Sequence, residues 1–210
     1  MVRRTKQEAL ETKDNLLRSA LETFCECGFS HCSLAQIAER IGLTRGAVYW
    51  HFKSKQDILL ALAESMENRA DRILQPLFER AETIEGVEKL VLGYARFLAN
   101  DEQYRKYYYV ASFRLEWTDD LACIQAYYQK RMNRFVDRIA KVCDKAAING
   151  ELRADLDIPA TGKAIYAMID GLILHSMLFE EQLDLEKQIA SAMNTFISGM
   201  RKPRCKSQNA

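Results

Sequence analysis

Between Ser33 and Ser54 the chain marks three helix starts in close succession, and that spacing limits the fold more than any other feature. Ser33-Leu34-Ala35-Gln36 is a capping box, in which hydroxyl and amide side chains serve the free N–H groups of a helix start. Leu34, Ile37, Ala38 and Ile41 form one apolar face, and Gly42 ends the helix after about two turns. Thr44 is an N-cap for another short helix. Ser54, with acidic Asp57 in the first turn, starts a further, long one. Two short helices joined by a tight turn containing glycine make a helix-turn-helix pattern.

The second short helix has an odd composition. Tyr49, Trp50, His51 and Phe52 follow one another, and four consecutive bulky rings cannot all face one core. Val48 and Phe52, four apart, suit the core. Tyr49, Trp50 and His51 then need another use, packing of Tyr49 or Trp50 against the preceding long helix being the bland one. In a helix-turn-helix this helix enters the DNA major groove, its first residues meeting base edges. Arg45 can pair with guanine through a bidentate fork. Gly46 weakens a helix, so close approach to DNA gives it a reason. The Tyr49 hydroxyl, the Trp50 and His51 ring N–H groups and the Lys55 ammonium can each reach a phosphate oxygen.

The rest of the sequence predicts helices only. Three Pro and nine Gly in 210 residues leave little punctuation for loops or β-turns. Apolar periodicity and caps predict helices over 6–27, from Ser54 past Pro76, over 87–99, from Gln103 to about Trp117, over 120–147, from Pro159 to about Glu181, and from Asp184 to near Met200. The expected fold is all-α with about nine helices. A DNA-binding domain would span 1–55, a ligand-binding and dimerisation bundle 56–200, and a disordered polar tail 201–210.

Net charge does not announce a nucleic-acid partner. The chain totals +1; residues 1–60 carry +2 and the remainder −1, so placement of charge must decide. No apolar run approaches the ~20 residues of a membrane span, and the basic N-terminus lacks the apolar core of a signal peptide, which argues for the cytoplasm. Cys25, Cys27 and Cys32 lie close together beside His31, but their spacing is not that of a structural zinc site, and thiols near a helix end are the simpler reading. No metal or cofactor is expected. No phosphate loop, His-Glu-x-x-His or nucleophile elbow is present, so an enzyme is disfavoured.

The stretch "SLAQIAERIGLTRGAVYWHFKSKQDIL" resembles the DNA-binding domain of the TetR family of transcriptional repressors, and "RRTKQEALETKDNLLRSALETF" is similar to its AcrR and MtrR branch, which controls multidrug efflux. The resemblance implies phosphate contacts at Ser33 and Thr44, base contacts at Arg45 and Gly46, and backbone contacts at Tyr49, Trp50, His51 and Lys55. Basic Arg3, Arg4 and Lys6 could reach an adjacent groove.

Eleven of the twenty aromatic residues fall between Tyr94 and Phe135. Helical bundles can enclose an apolar ligand cavity, and rings with a carboxylate suit a lipophilic cation. Glu67, Phe97, Phe113, Glu116, Trp117, Tyr128 and Asp170 are the candidate ligand-binding residues, although most of the aromatic rings serve a plain core on this reading. His175 is read as a core imidazole rather than a ligand sensor. The helix from Pro159 is apolar on more than one face, from Ile165 to Phe179, so a partner must cover one side. The resemblance implies a homodimer through 159–200, which would place two recognition helices on a palindromic operator. A regulator that activates, or one controlling other genes, would carry the same DNA-binding sequence.

Overall fold

In a computed structural model of the chain, which describes residues 6–179 and 184–202, the described residues form nine α-helices and no strand. They fall into two compact units, Met1–Arg69 with Asp101–Tyr128, and Ala70–Asn100 with Gln129–Ala210.

The first unit is built on α1 (Lys6–Cys27), whose Leu16, Leu17, Ala20, Leu21 and Phe24 are buried. α2 (Leu34–Glu39) packs on α1, and α3 (Arg45–His51) packs on α2. The Ser33–Gln36 capping box forms as the sequence indicates. Two bonds tie α2 to α1. The buried Ser19 hydroxyl donates to the Ile37 carbonyl at 2.8 Å. Arg40 grips Glu26 in a bidentate pair at 2.7 and 2.8 Å. Gly28, at φ 80°, turns the chain out of α1 in a conformation that a side chain would strain.

α4 (Lys55–Arg80) starts in this unit with Ile58, Leu59, Leu62 and Met66 buried. Its buried row then continues through Ala70, Leu74 and Phe78, while Ile73, expected in the stripe, is 48% exposed. Steps of four residues advance about 40° around a 3.6-residue helix, so the buried side of α4 rotates along its length. α6 (Glu102–Phe113), capped by the Asp101 carboxylate, packs on α1. It stops four residues before the expected Trp117. The Arg114 carbonyl instead accepts the Phe29 N–H at 3.0 Å, a long-range bond that periodicity cannot announce. A single 3-10 turn, Asp119–Leu121, leads into α7 (Ala122–Ile148), and Gly150 at φ 75° closes that helix.

In the second unit α9 (Leu185–Met200) packs against both α5 (Ile84–Asn100) and α8 (Ile158–Leu178). Leu90, Val91, Leu98, Ile165, Ile169, Ile173, Ile189, Met193 and Ile197 are buried there. Phe135 sits 5.6 Å from both Phe78 and Tyr94, and 6.0 Å from Tyr166, so part of the aromatic run is core. α8 ends at Leu178 rather than near Glu181, and residues 180–183 are outside the described part. His175 is exposed and stacks 4.6 Å from Phe179, so it is not the core imidazole expected. Arg201 pairs with Glu85 and bridges Leu152, and the Lys202 N–H donates to Glu151 at 2.9 Å; the remaining tail residues 203–210 lie outside the described residues. Among the described residues no helix is long and apolar enough to cross a membrane.

Phe24 fills the first unit's core at 0% exposure, whereas Trp50 is 72% exposed. Phe24→Ala should therefore cost about 3–5 kcal/mol in urea unfolding, while Trp50→Ala should stay within about 0.5 kcal/mol of wild type.

Candidate nucleic-acid interface

α3 is held from one side only. Val48 and Phe52 are buried, at 0% and 5% exposure, and Lys13 of α1 lies 5.8 Å from the Phe52 ring. The Thr44 hydroxyl caps α3 by accepting from Ala47 N–H. The opposite side carries Arg45, Gly46, Tyr49 and Trp50, all exposed. Packing of Trp50 onto α1 is therefore not the arrangement adopted. The Arg45 guanidinium donates to the Tyr49 hydroxyl at 2.9 Å and lies over its ring, 5.3 Å from the centroid. That bond spans one turn and presents the guanidinium on the open face. His51 is half-buried and meets Trp50 edge to face at 4.6 Å.

Gly46 is not a packing requirement. A methyl group there would meet no atom closer than the Thr44 hydroxyl at 3.8 Å, an ordinary contact. The fold thus leaves room for alanine at this position.

Ser33 and Lys55 are partly engaged within the protein. The Ser33 hydroxyl donates to the Gln36 side chain at 2.9 Å and accepts its backbone N–H at 3.2 Å. The Lys55 ammonium donates to the carbonyls of Phe29 and Ser30, at 2.7 and 3.2 Å, and lies 4.7 Å from the Phe29 ring. An ammonium has three donors, so two carbonyls do not exhaust it. Lys53 was passed over in the sequence; it stands exposed between α3 and α4, its backbone N–H donating to the Asp57 carboxylate at 2.9 Å. A cation inside the short linker between two helices was the signal for it. Lys6 begins α1 and is exposed, while Arg3 and Arg4 lie outside the described residues.

Of the candidate ligand residues, the first unit gathers Glu67, Trp117 and Tyr128. Tyr127 donates to the Glu67 carboxylate, and Trp117 meets Tyr128 edge to face at 5.7 Å, with Tyr107 6.2 Å from Tyr128. Glu116 accepts the Ser30 hydroxyl at 3.1 Å, and Phe113 packs on Tyr109 at 5.5 Å. Phe97 and Asp170 are half-buried in the second unit. Among the described residues no cluster of three or more His, Cys, Asp or Glu could hold a metal.

Residues 16–62 match the family model of bacterial regulatory proteins of the tetR family, and residues 120–200 match the C-terminal model of BetI-type transcriptional repressors. TtgR of Pseudomonas putida, an HTH-type transcriptional regulator, is 31% identical over 206 residues, 96% of this chain and 97% of TtgR. The chain belongs to the TetR family. It is therefore a DNA-binding transcriptional regulator and not an enzyme. Its fold is similar to that of NalD, the secondary repressor of the MexAB-OprM multidrug efflux pump in Pseudomonas aeruginosa, with a TM-score of 0.79 at 26% identity over 92% of this chain and 98% of NalD. It is also similar to SmeT, the repressor of the Stenotrophomonas maltophilia multidrug efflux pump SmeDEF, with a TM-score of 0.75 at 25% identity over 91% of both chains. For this TetR-family chain the spare room at Gly46 yields a sharp expectation. Gly46→Ala should raise helix stability by up to about 1 kcal/mol in thermal unfolding and yet weaken operator binding. Unchanged DNA affinity in the stabilised variant would remove the close-approach role.

Proposed function

We propose that the chain is a ligand-released repressor of a multidrug efflux operon, binding a palindromic operator as a homodimer. The exposed Arg45–Tyr49–Trp50 face of α3, anchored from behind by Val48 and Phe52, carries the DNA half of this reading. Arg45 reads a base edge, with Gly46 letting the helix approach. Tyr49, Trp50, His51 and Lys55, with Thr44 and the Ser33 cap, position the backbone. Residues 1–55 act as the DNA-binding segment, and 56–200 serve ligand binding and dimerisation. NalD and SmeT, both repressors of efflux pumps, support the efflux assignment.

Dimerisation runs through 159–200. α8 leaves Leu178 and Phe179 exposed, at 57% and 60%, and a groove of about 740 Å³ between α8 and α9 is lined by Ala160, Ala164, Met168, Ala192 and Phe196. A second copy covering that apolar surface would set two recognition helices on half-sites about 34 Å apart. Glu67, Trp117 and Tyr128 offer rings and a carboxylate to a lipophilic, cationic or amphiphilic compound. Ligand displaces α4, whose first residue is Lys55, and operator affinity falls. It must bind the released state better, or nothing shifts.

A gel shift on the gene's own upstream DNA, with and without ethidium or bile salts, tests the whole reading. Retention lost on adding compound is the expected result; retention that none of them disturbs would remove the multidrug ligand. Arg45→Ala should cost about 1–3 kcal/mol and relax sequence preference, while Lys55→Ala should lower the salt slope by about 1. Because Lys55 also holds two carbonyls, its variant should melt lower too, which separates it from Arg45→Ala.

A further inference from the structure

Arg45 and Tyr49 stand four residues apart on α3, a spacing that sets two side chains next to each other on one face of a helix. That face is the open one. Val48 and Phe52 are buried behind it, and Tyr49 is 45% exposed. The Arg45 guanidinium donates from Nη2 to the Tyr49 hydroxyl at 2.9 Å. Its central carbon lies 5.3 Å from the Tyr49 ring centroid, within cation–π range. Two different attractions therefore hold the tip of one long, exposed side chain. The neighbouring Trp50 ring is turned to His51, which it meets edge to face at 4.6 Å.

We propose that Tyr49 is a positioning residue for sequence reading: its hydroxyl and ring set the Arg45 guanidinium before DNA arrives, and so sharpen the preference for one base pair. The proposal rests on Arg45 reading a base edge, as proposed above. The donor count permits it. A guanidinium has five N–H donors, of which Tyr49 takes one, and a bidentate fork on guanine needs two of the rest. The Tyr49 hydroxyl uses a lone pair to accept from Arg45, so its own proton is left for a phosphate oxygen. Positioning and a phosphate contact are compatible within one side chain.

The two roles differ in what they do to binding. An arginine loses rotamer freedom when it is fixed on a base, and a side chain already held loses less. That saving is realised only where the fork forms, so it adds to discrimination between sequences. A phosphate contact is made on any sequence and adds to affinity for all of them.

Tyr49→Phe isolates the hydroxyl, because it keeps the ring. Full-length wild type, Tyr49→Phe, Arg45→Ala and the double variant are each measured on a duplex selected from a random library by the wild type, and on duplexes changed at a single base pair. Arg45→Ala identifies the base pair that Arg45 reads. Tyr49→Phe should lower discrimination at that base pair by about three- to tenfold, the share of one hydrogen bond, and leave the other positions and the salt slope alone. In the Arg45→Ala background the same substitution should leave discrimination there unchanged. Heteronuclear relaxation at the Arg45 Nε, in protein without DNA, should show a more mobile side chain in Tyr49→Phe than in wild type. Equal mobility in the two proteins would overturn the proposal. So would a loss of affinity that is the same on every duplex and in both backgrounds, which would leave Tyr49 a phosphate contact alone. Full discrimination in Tyr49→Phe beside lost discrimination in Arg45→Ala would overturn the positioning role and spare the base-reading one. If Arg45→Ala discriminates like wild type at every position, the base-reading role of Arg45 fails and the proposal fails with it.

Discussion

A helix of seven residues does not persist alone in water, because its nucleation cost outweighs the few hydrogen bonds it makes. α3 is such a helix, and the exposed row of Arg45, Tyr49 and Trp50 depends on holding it. It has three fixings: the Thr44 cap, the buried Val48 and the buried Phe52. All three act from the start, the back and the end. The front is left to Arg45, Tyr49 and Trp50, with no apolar neighbour competing for it. Two large aromatic side chains in water are tolerated because the anchoring is complete without them. α2 is fixed in the same economical way, by the Ser33 capping box at one end and the Arg40–Glu26 fork at the other.

Features with a local cause were legible in the sequence. A capping box involves four adjacent residues, and Ser33 to Gln36 formed it as read. Asp184 caps α9 by accepting the N–H three residues on, and Gly150 stops α7, both short-range effects, whereas the Asp157 cap of α8 stands two residues before the expected start at Pro159. The α6 end was not legible. Nothing near Phe113 breaks a helix; the cause is the Phe29 N–H, far away in sequence. Ile73 illustrates a different failure. A repeat of seven residues places it with Met66, but the buried row of α4 drifts round the helix and leaves it in water.

The site divides along the same line. The outward face of α3 could be read because periodicity alone says that four rings cannot share one core. The engagement of Lys55 could not, since its partners are backbone carbonyls whose direction only the folded turn defines. The Glu116 carboxylate accepts the Ser30 hydroxyl, a partner 86 residues away that periodicity could not supply. Charge totals were uninformative throughout: exposed Arg45 stands at the start of α3 and exposed Lys53 just past its end, so position supplies what net charge lacks.

The last described residues have a practical side. Past Met200 the chain does not simply leave α9. Arg201 pairs with Glu85 and bridges Leu152, Arg153 N–H reaches the Met200 carbonyl at 3.0 Å, and Lys202 N–H reaches Glu151. Glu151 in turn accepts the Ile84 N–H at 2.9 Å, at the head of α5. A shortened chain cut at Met200 would lose the Arg201 and Lys202 bonds and keep those of Arg153 and Ile84, whereas a cut after Lys202 would keep them all. An affinity tag appended downstream would therefore hang from a fixed point rather than from the free end of a helix.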